Sequence, residues 1–356
     1  MGSSKIKIVR DIISNFLSNN IYNLSYIVES ADWSIKQDGT YITQNLNKLD
    51  LLKARITTNC FGLQDQIIHF GSVNIFLRRN GFTRTHKSNK SVLTWFHVVP
   101  NNRRNKNIIE AQKYLEVIHT AANITKNNLI DLGVNPEKIV VIPLGVDPSL
   151  FKPAPEDEKQ KLREELDIPK DKIVIGSFQK DGVGWGEGLE PKLIKGPDIF
   201  VEVAAKLTKN YPIFVLLAGP ARGYIKNELQ KRNITYKDIG YLNDFKEIAK
   251  YYQVLDFYLI TSRIEGGPKQ ILEAMASGIP VISTRVGMVP DIVEDGREVL
   301  LTEIEDLEGL VEKSKKIIGD ENLGKKLIAN GLKTVQTYSW EKIAERYHQE
   351  IYLRIL

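Results

Sequence analysis

One segment, residues 257–283, constrains the fold of this chain more than any other. Its apolar run at 257–260 predicts a buried strand, Pro268 suits the first position of a helix, and Gly278 suits the end of that helix. The apolar residues at 280–283 then predict a second strand. A strand, a loop, a helix and a strand in this order are the repeating unit of a parallel α/β sheet.

Two carboxylates flank the start of this predicted helix. Glu265 lies in the loop and Glu273 in the helix, roughly 10 Å apart at a rise of ~1.5 Å per residue. The free amides of Lys269 and Gln270 favour a diphosphate or a polar sugar. A glycoside hydrolase fits poorly, because its carboxylates flank one bond from separate elements. Glu273 fits better as a hydrogen-bond acceptor for two ribose hydroxyls, while Glu265 would contact a sugar. The alternative is that both glutamates are solvated and bind no ligand.

Composition predicts a globular chain of two domains. The 356 residues are 42% hydrophobic and 26% charged, which is enough to fill two cores. No apolar run approaches the ~18 to 20 residues of a membrane span, and the start lacks the apolar region of a secretion signal. Cys60 is the single cysteine, so no internal disulfide can form. We therefore expect a cytoplasmic protein, with membrane association left open.

The positive charge is concentrated in the first half. Residues 1–150 contain 18 basic and 11 acidic side chains, a balance of +7, whereas the whole chain carries +5. This favours an anionic partner such as a lipid phosphate or an anionic membrane surface, and an amphipathic stretch at 5–17 could lie on such a surface or pack on its own protein. Nucleic acid is not expected, because no recognition helix or aromatic platform is visible. A solvated basic face is the alternative.

Strand and helix patterns alternate along the chain and predict two doubly wound α/β domains. In the first half we expect strands at 24–28, 55–58, 66–69, 92–96, 117–119 and 139–142, with helices at 41–52 and 125–132. Prolines cluster between 143 and 155, which predicts the linker before a helix at 156–166. The second half has predicted strands at 173–178, 214–218 and 257–260 and a helix at 198–207. Its ligand crevice should lie where Ser177, Gly219 and Thr261 end their strands.

The chain resembles the retaining glycosyltransferases of family 4, also called group 1. The resemblance rests on Glu265 and Glu273 with seven residues between them, on the Gly-x-x-Pro turn at 287–290, and on segments 138–147 and 338–344. It covers the chain from about residue 113 to the end. It implies a GT-B fold with two Rossmann-like domains facing a central cleft. The acceptor domain would span 1–150, the donor domain 151–337, and a C-terminal helix at 338–356 would pack back on the first domain.

The resemblance also implies a set of site residues. Glu265, Lys195 and His97 would be catalytic. Ser177 stands where the family has a strand-end Arg, so that Lys180, Lys192 or Arg222 would have to substitute, and Tyr241 would hold the nucleobase. The other donor contacts implied are Glu273, Gly266, Gly267, Lys269, Gln270 and Gly219. The acceptor contacts implied are Asp38 and Gly39, in a loop, with Arg103 and Arg104.

The activity implied is transfer of a sugar from a nucleoside diphosphate sugar to an acceptor hydroxyl, with retention, on a glycan, a lipid-linked acceptor or a small glycoside. No Asp-x-Asp is present to hold a divalent metal, and no cofactor is expected. The glycine-rich stretch 179–192 lacks the spacing of a dinucleotide fingerprint and is interpreted as a mobile flap with Trp185 able to stack, or as a plain loop. Two alternatives stay open: a non-catalytic subunit that binds the nucleotide sugar, and another enzyme of the same fold, such as an epimerase.

Overall fold

A computed structural model describes residues 2–17, 21–30, 34–100, 102 and 105–356. The chain forms two compact units. Unit 1 consists of Met1–Gly145 with Trp340–Leu356, and unit 2 is Val146–Ser339, whereas the sequence places these divisions after 150 and 337. That the two units face a central cleft stays a prediction.

Unit 1 is built on a six-stranded parallel sheet in the order β2-β1-β3-β6-β7-β8. Its strands are β1 Leu24–Ile27, β2 Ala54–Thr57, β3 Ile67–Phe70, β6 Lys90–Thr94, β7 Val117–Thr120 and β8 Ile139–Val141. A small antiparallel pair, β4 Leu77–Arg78 and β5 Gly81–Phe82, lies between β3 and β6 in the chain. All six sheet strands appear within two residues of the predicted positions. Apolar side chains of β1, β3, β6, β7 and β8 form one core with Phe76 and Leu115.

The helices of unit 1 include one that the sequence misplaced. They are α1 Gly2–Leu17, α2 Ser34–Lys48, α3 Val73–Phe76, α4 Ile108–Ala111 and α5 Asn123–Asp131. The helix predicted at 41–52 is α2, so Asp38 and Gly39 are helical and not in a loop as predicted. The reason is tertiary. Gly39 lies against the Tyr26 ring, where a Cβ atom would be 2.7 Å from the ring, and Asp38 is buried.

Unit 2 repeats the architecture with a second parallel sheet in the order β11-β10-β9-β12-β13-β14. The strands are β9 Ile173–Phe178, β10 Ile213–Ala218, β11 Tyr236–Asp238, β12 Phe257–Ile260, β13 Val281–Thr284 and β14 Leu300–Thr302. The helices are α6 Glu156–Glu165, α7 Pro197–Leu207, α8 Gly223–Lys231, α9 Ile248–Tyr252, α10 Gln270–Ala276, α11 Val289–Ile292, α12 Leu307–Gly319 and α13 Glu321–Thr334. The core packs α7, α8, α12 and α13 against the sheet.

Strands β9 and β12 have the predicted bounds, but α10 starts two residues later than predicted. The helix begins at Gln270 with Lys269 as its N-cap, so Pro268 precedes the helix and is not its first residue. The loop after β12 is correspondingly longer, and Glu265 lies in this loop before the helix begins.

The chain returns to unit 1 at its end. Helix α14, Trp340–Tyr347, and the π-helical turn His348–Tyr352 belong to unit 1. The Trp340 ring stacks on Tyr41 of α2 at 5.2 Å between centroids and 2° between planes. Among the described helices of both units, none has the length and apolarity needed to span a bilayer.

Candidate active site

The site in unit 2 lies where its sheet reverses direction. From β9 the chain winds outward through β10 and β11, and from β12 it winds the opposite way through β13 and β14. The crevice between β9 and β12 at their carboxyl ends is where open α/β sheets bind ligands. The chain leaves these strands after Phe178 and Ile260, and the two loops that follow carry the predicted catalytic residues Lys195 and Glu265.

Lys195 and Glu265 meet at this crevice. The Lys195 Nζ lies 2.5 Å from Glu265 Oε1, and the Ser262 hydroxyl donates to the same oxygen at 3.1 Å. The lysine side chain is 19% exposed and the carboxylate 9%, so the pair is largely withdrawn from water but reachable. In such surroundings a charge pair is stronger than at the surface. The sequence predicted roles for both residues, and the structure shows that they form one pair.

Backbone contacts between the two loops hold this pair in place. Gly196, the residue after Lys195, has φ +64°, and a Cβ atom there would be 2.0 Å from the carbonyl oxygen of Thr261. The Thr261 hydroxyl donates to the Gly196 carbonyl at 2.7 Å. The Ile194 carbonyl accepts from the amides of both Arg263 and Ile264. Glycine is therefore required at position 196, because only then can the Lys195 loop lie against the loop that leads to Glu265.

Arg263 links the Glu265 loop to Asp198 and Glu305. Its guanidinium donates to both carboxylate oxygens of Asp198, at 2.8 and 2.7 Å, and to Glu305 at 2.7 Å. The hydrogen bonds to Asp198 are the main reason that the pKa of Arg263 is raised above its ordinary value. Asp198 is the second residue of α7, so Arg263 fixes that helix to the Glu265 loop. The sequence analysis did not identify Arg263.

A third loop, the turn after β13, contacts the backbone of the Glu265 loop. The Gly266 carbonyl accepts from the Met288 amide at 3.0 Å, and Gly287 has φ +54°. A Cβ atom at Gly287 would be 2.7 Å from the Gly266 oxygen. This explains the Gly-x-x-Pro turn in physical terms: its glycine lets the turn after β13 touch the backbone of the Glu265 loop.

Two further lysines surround the pair. Burial lowers the pKa of Lys192, and the charges of Lys195 and Lys180 lower it further, while Glu265 acts in the opposite direction. The Lys180 Nζ lies 4.4 Å from the centre of the Trp185 ring, in the loop that was interpreted as a flap. Three ammonium groups, those of Lys180, Lys192 and Lys195, therefore act on one region, in which Lys195 is paired with Glu265. Such an excess of positive charge suits a diphosphate.

Arg222 occupies the position beside Ser177. Its guanidinium donates to the Ser177 hydroxyl at 2.9 Å and to the Gln179 carbonyl at 2.6 Å. It also forms an ion pair at 3.3 Å with Asp181, and both side chains are almost fully buried. A guanidinium thus stands at the end of β9, as in the family pattern, but it comes from the start of α8. Because it is buried, Arg222 fixes the strand end and the glycine-rich loop 179–192, whereas Lys180 and Lys192 of that loop are only half-buried.

The remaining predicted donor residues lie around the same edge. Glu273 is half-buried and accepts from the Tyr252 hydroxyl at 2.8 Å, which orients its carboxylate. Gln270 donates to the Phe178 carbonyl at 3.2 Å, and Lys269 and Gly267 are half-buried. Gly219 donates its amide to the Gly240 carbonyl at 2.9 Å. Tyr241, directly after Gly240, is exposed at the end of β11. No sequence pattern pointed to Tyr252.

The residues predicted in the first half belong to unit 1. His97 is half-buried three residues after β6, and its carbonyl accepts from the Trp95 indole at 2.9 Å. The acceptor role of Asp38 and Gly39 stays a prediction, although their placement in a loop is wrong. Arg103 and Arg104 lie outside the described residues. Within the described part of the chain, no three His, Cys, Asp or Glu side chains cluster as a metal site would need.

Part of the chain is similar in sequence to known glycosyltransferases. The model of the family described as glycosyl transferases group 1 matches residues 188–334. An uncharacterized glycosyltransferase of Methanocaldococcus jannaschii is 34% identical over 150 residues, 42% of either chain. The MMP alpha-(1->4)-mannosyltransferase of Mycolicibacterium hassiacum is 26% identical over 288 residues, 78% of this chain and 65% of that protein. The chain spans about half the length of the curated relatives it matches.

The fold has solved counterparts. HepE of Anabaena, crystallised in complex with UDP and glucose, aligns over 94% of this chain and 100% of its own with a TM-score of 0.72. The identity is 16%, so this likeness shows the fold alone. The matched segment 188–334 contains Lys195, Glu265 and Glu273 together with the loops that hold them. Residues 188–334 are therefore similar to the group 1 glycosyltransferases, and the chain as a whole has the GT-B fold.

Proposed function

We propose that this protein transfers a sugar from a nucleoside diphosphate sugar to an acceptor hydroxyl with retention of the anomeric configuration. The observation that carries this proposal is the Lys195–Glu265 pair at the reversal point of the unit 2 sheet, with Lys180 and Lys192 beside it. A transferase must stabilise the diphosphate that departs, and fixed cations in a site withdrawn from water do this without reorganisation.

Each residue then has a defined task. Lys195, Lys192 and Lys180 neutralise the developing charge of the diphosphate. Glu265, held by Lys195 and Ser262, accepts hydrogen bonds from the sugar that is transferred. Glu273, oriented by Tyr252, accepts from the two ribose hydroxyls.

Tyr241 and His97 are assigned to the nucleobase and to the transferred sugar. Tyr241 is exposed at the strand edge and offers a ring to a nucleobase. His97 would orient the transferred sugar from unit 1. The first donor to test is UDP-glucose, because HepE is bound to UDP and glucose and shares the fold.

The test is release of UDP from UDP-glucose, by transfer or by slow hydrolysis, in the wild type and in Lys195→Ala. We expect turnover to fall about a hundredfold or more, since a main counter-charge of the leaving group is removed. Lys209→Ala changes an exposed lysine at the far end of α7 and should keep wild-type turnover. If these lysines supply the counter-charge, turnover should survive EDTA, and a loss that magnesium restores would contradict that assignment.

Turnover also separates the alternatives. Tight UDP-glucose binding without any UDP release, under conditions in which the protein is folded, would favour a non-catalytic subunit. Conversion of the sugar without transfer would favour an epimerase. Wild-type turnover in Lys195→Ala would remove the main support for the mechanism.

A further inference from the structure

Unit 1 contains a cavity of about 540 Å³ at the carboxyl edge of its sheet. Ile27 and Phe70, the last residues of β1 and β3, both line it. In the order β2-β1-β3-β6-β7-β8 the chain winds one way from β1 and the other way from β3, so the cavity marks the reversal point of this sheet. Its size and position are those of a ligand site in an open α/β fold.

The walls of the cavity are mainly apolar. They include Phe16, Ile27, Phe61, Leu63, Phe70 and Ile75. Leu63 and Phe70 belong to the core, whereas Phe16 and Phe61 meet edge to face at 5.7 Å and are 55% and 64% exposed. Exposed aromatic rings at the entrance of an apolar cavity are the feature expected of a surface that buries an apolar ligand.

Helix α1 presents its apolar side to solvent. Two of its polar residues face the protein: Asn15 is buried and donates to the carbonyls of Asn59 and Phe61, and Asp11 accepts from the amide and hydroxyl of Thr58. Val9, Ile13 and Leu17 are more than half exposed. The sequence allowed this helix either a membrane interface or its own protein. The structure packs it by its polar face and leaves an apolar face that continues from Phe16 at the cavity.

The rim of the cavity is basic. Arg78 and Arg84 line it with exposed side chains, and no carboxylate is among the residues lining it. The Arg78 Nε donates to the Thr83 hydroxyl at 3.1 Å, and the Arg84 guanidinium lies over the rings of Phe82 and Tyr114. Across the described residues, neither arginine is paired with a carboxylate. Two free guanidinium groups beside an apolar cavity complement an anionic head group attached to an apolar chain.

We propose that this cavity binds the hydrocarbon chain of a phosphate-bearing lipid, with the phosphate held by Arg78 and Arg84. The apolar face of α1 and Phe61 border the entrance, where the chain of such a lipid leaves its bilayer. The lipid carries the acceptor hydroxyl, and this last step rests on the proposed function. Lipid binding itself requires only unit 1 and is measured without any turnover.

The first experiment compares decyl phosphate with dodecyl phosphate, titrated into the full chain by calorimetry below their micelle concentrations. Each buried methylene should raise affinity about fourfold, so the two added methylenes should give about fifteenfold. Inorganic phosphate has only the charge of the head group, and dodecyl maltoside has only the hydrocarbon chain without the charge. Both should bind at least tenfold more weakly than dodecyl phosphate. Equal affinity for the two alkyl phosphates, or for dodecyl phosphate and the neutral detergent, would overturn the proposal.

Variants locate the binding. Arg78→Ala with Arg84→Ala should weaken dodecyl phosphate about tenfold or more, whereas Lys53→Ala, an exposed lysine at the opposite edge of the sheet, should not. Ile75→Phe should fill the cavity and abolish the gain from chain length. Should Ile75→Phe fail to fold, Phe61→Ser, at an exposed position, should weaken binding severalfold with little effect on folding. Unchanged affinity in the arginine variant and in a folded cavity variant would refute the site.

UDP affinity of unit 2 is measured on the same variants. It should be unchanged in all of them, because the changed residues lie in unit 1. Lipid binding without turnover of any nucleoside diphosphate sugar in a donor screen would contradict the proposed function and leave the lipid site in place. Turnover with water-soluble acceptors, combined with equal affinity for decyl phosphate and dodecyl phosphate, would support the proposed function and contradict the lipid site.

Discussion

At the scale of single residues, the Asp181–Arg222 ion pair fixes the glycine-rich loop 179–192 to the start of α8. The two side chains are 0% and 1% exposed. Burial raises the pKa of Asp181, and the charge of Arg222 opposes this shift. Apart from that 3.3 Å ion pair, the carboxylate oxygens have no hydrogen-bond partner among the described residues. A buried carboxylate without hydrogen bonds is stabilised mainly by the cation of its ion pair.

Arg222→Ala should therefore destabilise the protein strongly. Removing one partner leaves an uncompensated buried charge, which costs about 3–5 kcal/mol in the free energy of unfolding. Urea denaturation of unit 2 measures this loss. The double variant Asp181→Asn with Arg222→Ala removes the orphaned charge and should recover part of the stability. A single variant as stable as the wild type would show that the pair does not hold the loop.

A second residue-scale prediction concerns Glu273. Glu273→Ala should weaken UDP binding about tenfold or more, the 1.5 to 3 kcal/mol of a hydrogen bond to a charged group. Calorimetry with free UDP measures it, and Glu312→Ala, an exposed helical carboxylate of α12, serves as the matched control. Because the change also leaves the buried Tyr252 hydroxyl without its acceptor, the melting temperature is recorded alongside. Unchanged UDP affinity would refute the ribose assignment.

Sequence reasoning predicted three charged residues of the candidate site but not how they combine. Glu265, Glu273 and Lys195 were identified by their spacing and by resemblance. The link from Arg222 to Ser177 joins residues 45 positions apart, and Tyr252 reaches Glu273 from another helix. Such contacts depend on which elements pack together, and no local pattern encodes that.

At the scale of elements, a chain of buried hydrogen bonds joins the C-terminal segment to the sheet of unit 1. Tyr352 contacts His69 Nδ1 at 2.8 Å, His69 Nε2 contacts the Thr94 hydroxyl at 2.8 Å, and Thr94 contacts His119 Nδ1 at 3.0 Å. The chain ends where His119 Nε2 meets the Ile142 carbonyl at 2.9 Å. Every donor is satisfied when both imidazoles are neutral, with Nε2 protonated and Nδ1 accepting.

This arrangement predicts acid sensitivity. Burial lowers the pKa of His119 to about 4, the hydrogen bond to the Ile142 carbonyl acts against this, and Arg346 lowers it further. Burial and the nearby His119 also lower the pKa of His69. The unfolded chain binds protons below pH 6.5 and the folded chain does not, so the stability present above pH 6.5 is lost as the pH falls towards 4. For His119 the loss is roughly 3 kcal/mol.

The test compares the wild type with His119→Gln, which keeps a donor and an acceptor but does not titrate. Urea-dependent hydrogen exchange of strand β7 gives the free energy of unfolding of unit 1 at pH 7 and pH 4. The wild type should lose more stability than the variant over this range, and the difference cancels the contribution of groups common to both. Parallel pH curves for the two proteins would contradict the prediction.

Elements were predictable where their own residues determine them. The apolar runs of β9 and β12 gave correct bounds because both strands are buried on both faces. The start of α2 was missed because the resemblance placed Asp38 and Gly39 in a loop, and the Tyr26 ring that requires a glycine there comes from β1. Likewise the polar docking face of α1 was not visible, since Asn59, Phe61 and Thr58 lie far along the chain.

At the scale of the whole molecule, unit 1 is discontinuous, and its stability depends on the last residues of the chain. The segment Trp340–Leu356 buries Trp340, Ile343, Tyr347, Ile351 and Tyr352 in unit 1. Burying side chains of this size contributes about 1.5–3 kcal/mol each, roughly 8–15 kcal/mol together. That sum is comparable with the entire stability of an ordinary domain, about 5–15 kcal/mol.

A chain that ends at Ser339 should therefore unfold in unit 1 and stay folded in unit 2. Hydrogen exchange followed by mass spectrometry measures both at once: protection should vanish in strands β1 and β3 and persist in strand β10. A chain that lacks only residues 354–356 keeps Tyr352 and its contact with His69, so its exchange should match that of the full chain. UDP affinity of the chain ending at Ser339 should also persist, because the proposed donor contacts of Glu273 and Lys195 belong to unit 2. Retained protection in β1 and β3 would mean that unit 1 is stable without its returning helix, and that the buried hydrogen-bond chain positions α14 without stabilising the sheet.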